Sequence, residues 1–123
     1  MAPIKQRTVG VVDDDPNLRR AVQRLLTAYG CVVKLYGSGE EFFLDPGRGE
    51  LSCIIVDINL GGMTGIELRQ QLTASGSTVP VIFMTAFDSP HVKQLARNTG
   101  CVSYLLKPFS ASLLFEAIEK ANG

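Results

Sequence analysis

The sequence predicts an α/β domain in which a five-stranded parallel sheet carries helices on both faces. Five short apolar runs alternate with segments of helical periodicity along the 123 residues. Several of these runs are apolar at every position, as expected for strands that are buried on both sides. The composition, 46% hydrophobic and 20% charged, is typical of a globular domain with one core. We therefore predict a single domain over residues 1–123, with its core at about 7–122.

Runs rich in β-branched residues predict the strands. Each is short and bounded by turn or polar residues, which is the usual strand signal. The predicted strands are Thr8–Val12, Cys31–Tyr36, Ser52–Val56, Val79–Met84 and Cys101–Leu106.

Capping signals predict a helix after each strand. Asp15 can accept hydrogen bonds from free backbone N–H groups, and Pro16 suits the first helical position, so we assign Asp15 as a helix cap. Gly30 ends this first helix. The segment 45–50, DPGRGE, is predicted to be a surface loop. The other four helices are predicted to begin at Ser38 with Glu41, Thr64 with Glu67, Ser89 with Pro90 (ending near Gly100), and Ser110.

The alternation of strands and helices restricts the topology. Right-handed crossovers leave few arrangements, and a doubly wound, flavodoxin-like strand order of 2-1-3-4-5 is the simplest for five units. In such sheets, ligands bind beyond the carboxyl ends of the strands, beside the point where the strand order reverses. That point lies between the first and third predicted strands.

Polar residues collect at these carboxyl ends. Three neighbouring carboxylates cannot all stay ionised without a cation, and an all-oxygen cluster suits Mg²⁺ (or Mn²⁺). A metal beside a carboxylate favours phosphoryl chemistry, which predicts an aspartyl phosphate on the third strand. The residues are Asp13 and Asp14 after the first strand, Asp57 after the third, Thr85 and Ala86 after the fourth, and Lys107 after the fifth.

Four motifs at the strand ends resemble one known family. VVDDDP, IIVDINLGGMTG, FMTA and YLLKPF occur in this order with the spacing of the receiver domain of two-component response regulators. The resemblance covers roughly residues 7–122. In wider detail the sequence is similar to receivers of the nitrogen-fixation regulator type.

The resemblance implies a phosphoacceptor and a metal site. Asp57 matches the phosphoacceptor, while Asp14 matches a direct Mg²⁺ ligand and Asp13 a ligand through water. Asn59 matches the position whose backbone carbonyl completes the protein ligands. The implied phosphoryl donor is a sensor histidine kinase or a small phosphodonor.

The resemblance also implies a switch. Thr85, with Ala86 beside it, and Lys107 match the positions that contact the phosphoryl group, and Tyr104 matches an aromatic that reorients. The surface expected to change is a candidate for homodimerisation or for docking to an effector domain or protein. It comprises Pro90–Thr99, Cys101–Leu106 and Ser110–Asn122.

One stretch departs from the family pattern. The family commonly has Met-Pro after the phosphoacceptor, where this chain has Leu60-Gly61-Gly62. Leu60 can take the apolar place of the methionine, but two glycines should loosen the loop. Phe87 adds a bulky apolar group near the mouth of the site.

Other classes of function fit the sequence less well than a receiver. A flavodoxin-like cofactor binder needs a phosphate-binding loop where Asp13–Asp15 stand, and an aspartyl-phosphate hydrolase would leave Asp57 idle and lack a cap domain. The strongest rival is a pseudo-receiver that only binds partners, although such a protein would normally have lost one of the matching residues. His91 is expected to be exposed and not a phosphocarrier. We expect a signalling protein, not an enzyme with a separate substrate.

Composition argues against several partners and locations. Twelve basic and twelve acidic residues cancel, so no direct nucleic-acid binding is expected. The start, MAPIKQRT, has no apolar signal core and no run approaches a membrane span. Cys31, Cys53 and Cys101 are predicted to be buried free thiols in a reducing cytoplasm. The sequence is compatible with a stand-alone receiver and with a receiver that is part of a longer regulator.

Overall fold

The computed structural model describes residues 6–122. The ends of the predicted domain, residues 1–5 and 123, lie outside the described residues, and its extent stays a prediction. Strands and helices alternate as expected, with a short 3₁₀-helix at Arg48–Glu50. The elements are β1 Thr8–Val12, α1 Pro16–Ala28, β2 Val32–Tyr36, α2 Gly39–Leu44, β3 Cys53–Asp57, α3 Gly65–Ala74, β4 Val81–Thr85, α4 Pro90–Thr99, β5 Ser103–Leu106 and α5 Ala111–Asn122.

The five strands form one sheet in the order β2-β1-β3-β4-β5, and every neighbouring pair is parallel. This confirms the predicted fold class and strand order. Val12 pairs with Val56, so the residues that follow them, Asp13 and Asp57, lie side by side at the carboxyl edge of the sheet. Thr85 pairs with Leu106, which brings Lys107 to the same edge. The register therefore gathers the predicted site residues.

Two hydrophobic layers hold this edge in place. One lies between the sheet and helices α1 and α5, and the other between the sheet and helices α2, α3 and α4. Every residue of β3 and β4 is buried. Because burying one large aliphatic side chain stabilises a fold by about 1.5–3 kcal/mol, these central strands form a rigid base for the groups at their ends.

The observed strand bounds differ from the predicted ones in an informative way. The strand predicted at Ser52–Val56 is shifted to Cys53–Asp57, and the one predicted at Val79–Met84 is Val81–Thr85. Asp57 and Thr85 are polar, yet both still pair in the sheet. The strand β4 begins only after Pro80, since proline has no N–H to donate to a neighbouring strand.

Smaller corrections concern the edge strands, a loop and a cysteine. The strands β2 and β5 begin at Val32 and Ser103, later than predicted. The predicted loop 45–50 contains the 3₁₀-helix, in which the Leu51 N–H donates to the Arg48 carbonyl at 3.2 Å. Cys101 is only half-buried, whereas Cys31 and Cys53 are buried. All three are free thiols.

The helix starts follow their capping signals, with one exception. Asp15 is the N-cap of α1, and its carboxylate accepts the Asn17 N–H at 2.9 Å. Thr64 and Glu67 form the full reciprocal capping box. At α2 only half of the box forms, because the Glu41 carboxylate accepts the Gly37 N–H and not that of Ser38.

Gly65, the first residue of α3, sets how closely this helix approaches the end of β3. A Cβ atom at this position would lie 2.5 Å from the Asp57 carbonyl oxygen and 2.9 Å from the Ile58 Cα. These are backbone atoms that cannot move aside cheaply. We expect Gly65→Ala to lower the free energy of unfolding by about 1–3 kcal/mol, measured by urea denaturation.

Gly49→Ala is the matched control, because a Cβ there has no heavy atom within 4 Å. We expect it to change the free energy of unfolding by less than about 0.5 kcal/mol. Equal losses in the two variants would contradict the close approach of α3 to Asp57.

Candidate functional site

A lysine joins two buried carboxylates at the carboxyl edge of the sheet. The Lys107 ammonium donates to Asp13 Oδ2 at 2.8 Å and to Asp57 Oδ2 at 2.9 Å. Asp13 is 0% exposed and Asp57 is 6% exposed. Buried charges of one sign need a compensating partner, and Lys107 provides it for both acids.

The pKa shifts reflect this burial. Burial is the main reason that the pKa of Asp13 is raised, and the hydrogen bond from Lys107 opposes it. For Lys107, burial lowers the pKa, but the bonds to Asp13 and Asp57 together outweigh it and raise the pKa. The ammonium therefore stays charged between its two acids.

Asp14 completes an acidic cluster. One carboxylate oxygen from each of Asp13, Asp14 and Asp57 lies within 4.8 Å of the other two. Asp14 is exposed, and its Oδ2 accepts the Gly61 N–H at 3.3 Å. Three oxygen donors on an open edge are the donor set that a hard divalent cation such as Mg²⁺ prefers, so these residues fit the metal that the sequence predicts.

Asn59 connects the predicted phosphoacceptor with the predicted switch. Its backbone N–H donates to Asp57 Oδ1 at 2.9 Å, and its side-chain Nδ2 donates to Thr85 Oγ1 at 2.8 Å. The sequence assigned a role only to the backbone carbonyl of Asn59. The side-chain contact was missed because it depends on how β3 and β4 lie side by side.

The Thr85 hydroxyl is buried and has nearly all of its hydrogen-bonding capacity in use. Its oxygen accepts from Asn59 and, at 3.0 Å, from the Phe87 N–H. Its proton has only a long contact, 3.4 Å, to the Phe87 carbonyl. Since a hydroxyl has one donor and two acceptor positions, the proton is the part of Thr85 that remains available to a new acceptor.

Tyr104 lies half-buried on β5, beside the layer that packs under α4. Its hydroxyl contacts Asp88 Oδ1 at 3.4 Å, and the Lys93 ammonium lies 5.9 Å from its ring centroid. Burial is the main reason that the pKa of Tyr104 is raised. In this structure the ring is directed toward the start of α4.

The glycine-containing loop after β3 is tied down by carboxylates. Leu60 is buried, as expected for a residue in the place of a methionine. Gly62 has φ of +72°, a conformation that proline cannot adopt and other L-residues rarely do. The Gly61 N–H bonds Asp14, and the Met63 N–H donates to Glu40 Oε1 at 3.0 Å. These bonds restrain the loop that the two glycines were expected to loosen.

The remaining predicted residues lie near the edge without joining the cluster. Ala86 and Phe87 are exposed directly after β4, and His91 is exposed at the start of α4. One further side chain was missed: Arg19 of α1 donates to the Asp13 backbone carbonyl at 2.7 Å. Among residues 6–122, no helix has the length and apolar character needed to cross a membrane.

Comparisons with known proteins identify the family of the chain. The family model described as the response regulator receiver domain matches residues 9–119. The transcriptional regulatory protein FixJ of Rhizobium meliloti is 30% identical over 115 residues, which are 94% of this chain and 56% of FixJ. Nodulation protein W of Bradyrhizobium diazoefficiens is 30% identical over 114 residues, which are 93% of this chain and 50% of that protein.

Structural similarity points the same way. The crystal structure of FixJ-N superposes with a TM-score of 0.87 at 28% identity, covering 97% of this chain and 95% of that one. The chain spans about half the length of the curated relatives it matches. The predicted resemblance is confirmed, and this chain belongs to the response regulator receiver domain family.

Proposed function

We propose that the chain is a phosphoacceptor, which takes a phosphoryl group onto Asp57 and converts it into a change at the surface of α4, β5 and α5. The donor is the phosphohistidine of a sensor kinase or a small acyl phosphate. One observation carries the proposal: the Lys107 ammonium bridges Asp13 and Asp57, with Asp14 beside them, at the carboxyl ends of the central strands. This arrangement leaves Asp57 to react, while all three acids can contribute to holding a cation.

The transfer is a single displacement at phosphorus. A carboxylate oxygen of Asp57 forms a new O–P bond while the bond from phosphorus to the leaving group breaks. With phosphohistidine this is a P–N bond and imidazole leaves, and with an acyl phosphate it is a P–O bond and a carboxylate leaves. Lys107, which already contacts Asp57 Oδ2, can pair with a phosphoryl oxygen. Asn59 orients the carboxylate through its backbone N–H. The chain supplies orientation and charge, which are the main demands of phosphoryl transfer.

Asp13, Asp14 and Asp57 would hold Mg²⁺ (or Mn²⁺), together with the backbone carbonyl of Asn59. When bound, the ion supplies positive charge to the oxygens of the transferring group. Asp13 is held by Lys107 and by the Asp15 N–H at 2.8 Å, so its carboxylate is well placed to act through water. Asp14 is exposed and suited to direct contact.

The output of the proposed switch is the surface of α4, β5 and α5. Apolar residues on β5 and α5 are partly exposed there: Leu106 at 44% and Leu113 at 49%. Thr85 lies at the end of β4, next to β5. A phosphoryl group that draws the Thr85 hydroxyl toward Asp57 would alter the packing beside Tyr104. We assign this surface to an effector or to a second copy of the chain.

Wild-type protein gives the basic test. With Mg²⁺ and acetyl phosphate, intact-mass analysis should show the addition of one phosphoryl group, and EDTA should suppress it. A protein that binds only partners would gain no mass under either condition. The acids and Lys107 are all present and in contact, which supports a phosphoacceptor over such a pseudo-receiver.

Thr85→Ala tests the link between chemistry and output. We expect the variant to accept phosphate on Asp57, because the carboxylate and Lys107 are unchanged. We expect smaller phosphorylation-dependent amide shifts on α4, β5 and α5, because the hydroxyl that senses the phosphoryl group is gone. NMR spectra with and without beryllofluoride, a phosphoryl mimic, measure this.

Thr99→Ala is the matched control, since the Thr99 hydroxyl donates to the Leu95 carbonyl within α4 and has no other hydrogen bond among the described residues. It should keep the full response. Full wild-type shifts around Tyr104 in Thr85→Ala would show that the signal takes another route.

The proposal includes a cytoplasmic location, in keeping with the three free thiols.

A further inference from the structure

We infer that Arg19 is a positioning residue for metal binding, because it fixes the backbone that carries Asp13 and Asp14. The inference rests on the proposed Mg²⁺ site. Arg19 lies in the second turn of α1 and contacts none of the three carboxylates in the hydrogen bonds of residues 6–122. It acts on the backbone behind them.

Asp13 is held at every polar atom, and Arg19 supplies one of these contacts. The Asp13 N–H donates to the Tyr36 carbonyl at 3.1 Å, while its carboxylate accepts from Asp15 and Lys107. Its backbone carbonyl follows the last paired residue of β1, so the sheet ladder does not satisfy it. The Arg19 guanidinium donates to that carbonyl at 2.7 Å. A buried carbonyl needs such a donor, and a charged donor makes a stronger bond than a neutral one.

This bond determines where Asp14 lies. The carbonyl of Asp13 and the N–H and Cα of Asp14 belong to one rigid peptide plane, so fixing the oxygen fixes the position of the Cα from which the Asp14 side chain extends. Within residues 6–122, the Asp14 carboxylate itself has only the 3.3 Å contact with the Gly61 N–H. Of the three acids it is the least restrained by its own side chain. Its placement therefore depends on the backbone that Arg19 holds.

The sequence leaves room for this contact. Gly37 follows the end of β2, and a Cβ there would lie 3.1 Å from Arg19 Nη1 and 3.0 Å from Glu41 Oε2. The Glu41 carboxylate also accepts the Gly37 N–H at 2.8 Å. A side chain at position 37 would crowd both groups. The absence of one lets the guanidinium pass beside the backbone to reach Asp13.

The direction of the change in Mg²⁺ affinity distinguishes a positioning role of Arg19 from an effect of its charge. A guanidinium near a cation site repels the cation, so removing its charge should by itself tighten Mg²⁺ binding. Loss of positioning acts in the opposite direction, and outer-shell partners of metal ligands typically contribute 10–100-fold to affinity. A weaker affinity in a variant that lacks Arg19 would therefore report positioning and not charge.

The experiment is an Mg²⁺ titration followed by backbone amide shifts at residues 13–15 and 57–59, without a phosphodonor. We expect Arg19→Ala to weaken Mg²⁺ affinity about tenfold or more, and Arg19→Lys, which keeps a charged donor, to recover part of the loss. Arg20→Ala removes the same charge from the next, exposed position and should leave affinity equal or slightly higher. Urea midpoints of all variants show whether folding accounts for the change.

Four results separate the possibilities. Arg19→Ala with wild-type or tighter affinity would overturn the inference, as would an equal loss in Arg20→Ala. If Arg19→Ala does not fold, the Arg19→Lys/Gly37→Ala double variant decides, because a Cβ at position 37 crowds the side chain at position 19. Full wild-type affinity in this double variant would also overturn the inference. Absence of saturable shifts in the wild type would instead overturn the Mg²⁺ site of the proposed function.

Discussion

Asp57→Asn is expected to abolish the mass increase that wild-type protein shows with Mg²⁺ and acetyl phosphate. An amide oxygen is a far weaker nucleophile than a carboxylate, and the substitution also removes one acid from the cluster within 4.8 Å. The side chains are nearly the same size, so the packing at the end of β3 should change little. Intact-mass analysis after equal incubation compares the two proteins directly.

Asp88→Asn is the control for this comparison. Asp88 lies near the same edge, after β4, but outside the acidic cluster. It should gain one phosphoryl group as the wild type does. Equal labelling of Asp57→Asn and wild-type protein would show that another residue accepts the phosphate.

The three consecutive acids are expected to separate into two classes. Asp13→Asn and Asp14→Asn should each weaken Mg²⁺ affinity and slow phosphorylation by about 10–100-fold, because each removes a charged oxygen from the cluster. Asp15→Asn should leave both properties close to wild type. Its carboxylate caps α1 through the Asn17 N–H, and asparagine caps helices as well as aspartate does.

Asp15→Ala extends the comparison to stability. Without a capping side chain, α1 should lose about 1 kcal/mol in urea unfolding while phosphorylation persists. The three positions carry the same charge and are adjacent in sequence, so only their different contacts can separate them. Loss of phosphorylation in Asp15→Asn, with Asp13→Asn unaffected, would contradict this division.

The fold was predictable because local and global signals agree. Alternating apolar runs and helix caps such as Asp15 and Thr64 specify the five units, and right-handed crossovers then restrict the strand order. Strand ends were predicted less well. Asp57 and Thr85 look like loop residues when hydropathy alone is considered, but they still pair with neighbouring strands.

The acidic cluster and its contact with Lys107 could be predicted from the topology, because residues at the carboxyl ends of parallel strands lie at one edge of the sheet. The contacts of Asn59 and Arg19 could not. The Asn59 amide, just after β3, reaches Thr85 at the end of the neighbouring strand β4. Arg19 reaches the Asp13 carbonyl because Gly37 leaves space. Nothing in the sequence separates Arg19 from the other arginines of α1. These roles follow from side-chain packing, which local patterns do not encode.

Chemical trapping of the phosphorylated residue identifies the phosphoacceptor without a substitution. Borohydride reduces an aspartyl phosphate to the alcohol, which converts the modified aspartate into homoserine, and peptide sequencing by mass spectrometry then locates it. After incubation of wild-type protein with Mg²⁺ and acetyl phosphate, we expect homoserine at position 57. Homoserine at position 13, 14 or 15, or at no position, would contradict the assignment of Asp57 as the phosphoacceptor.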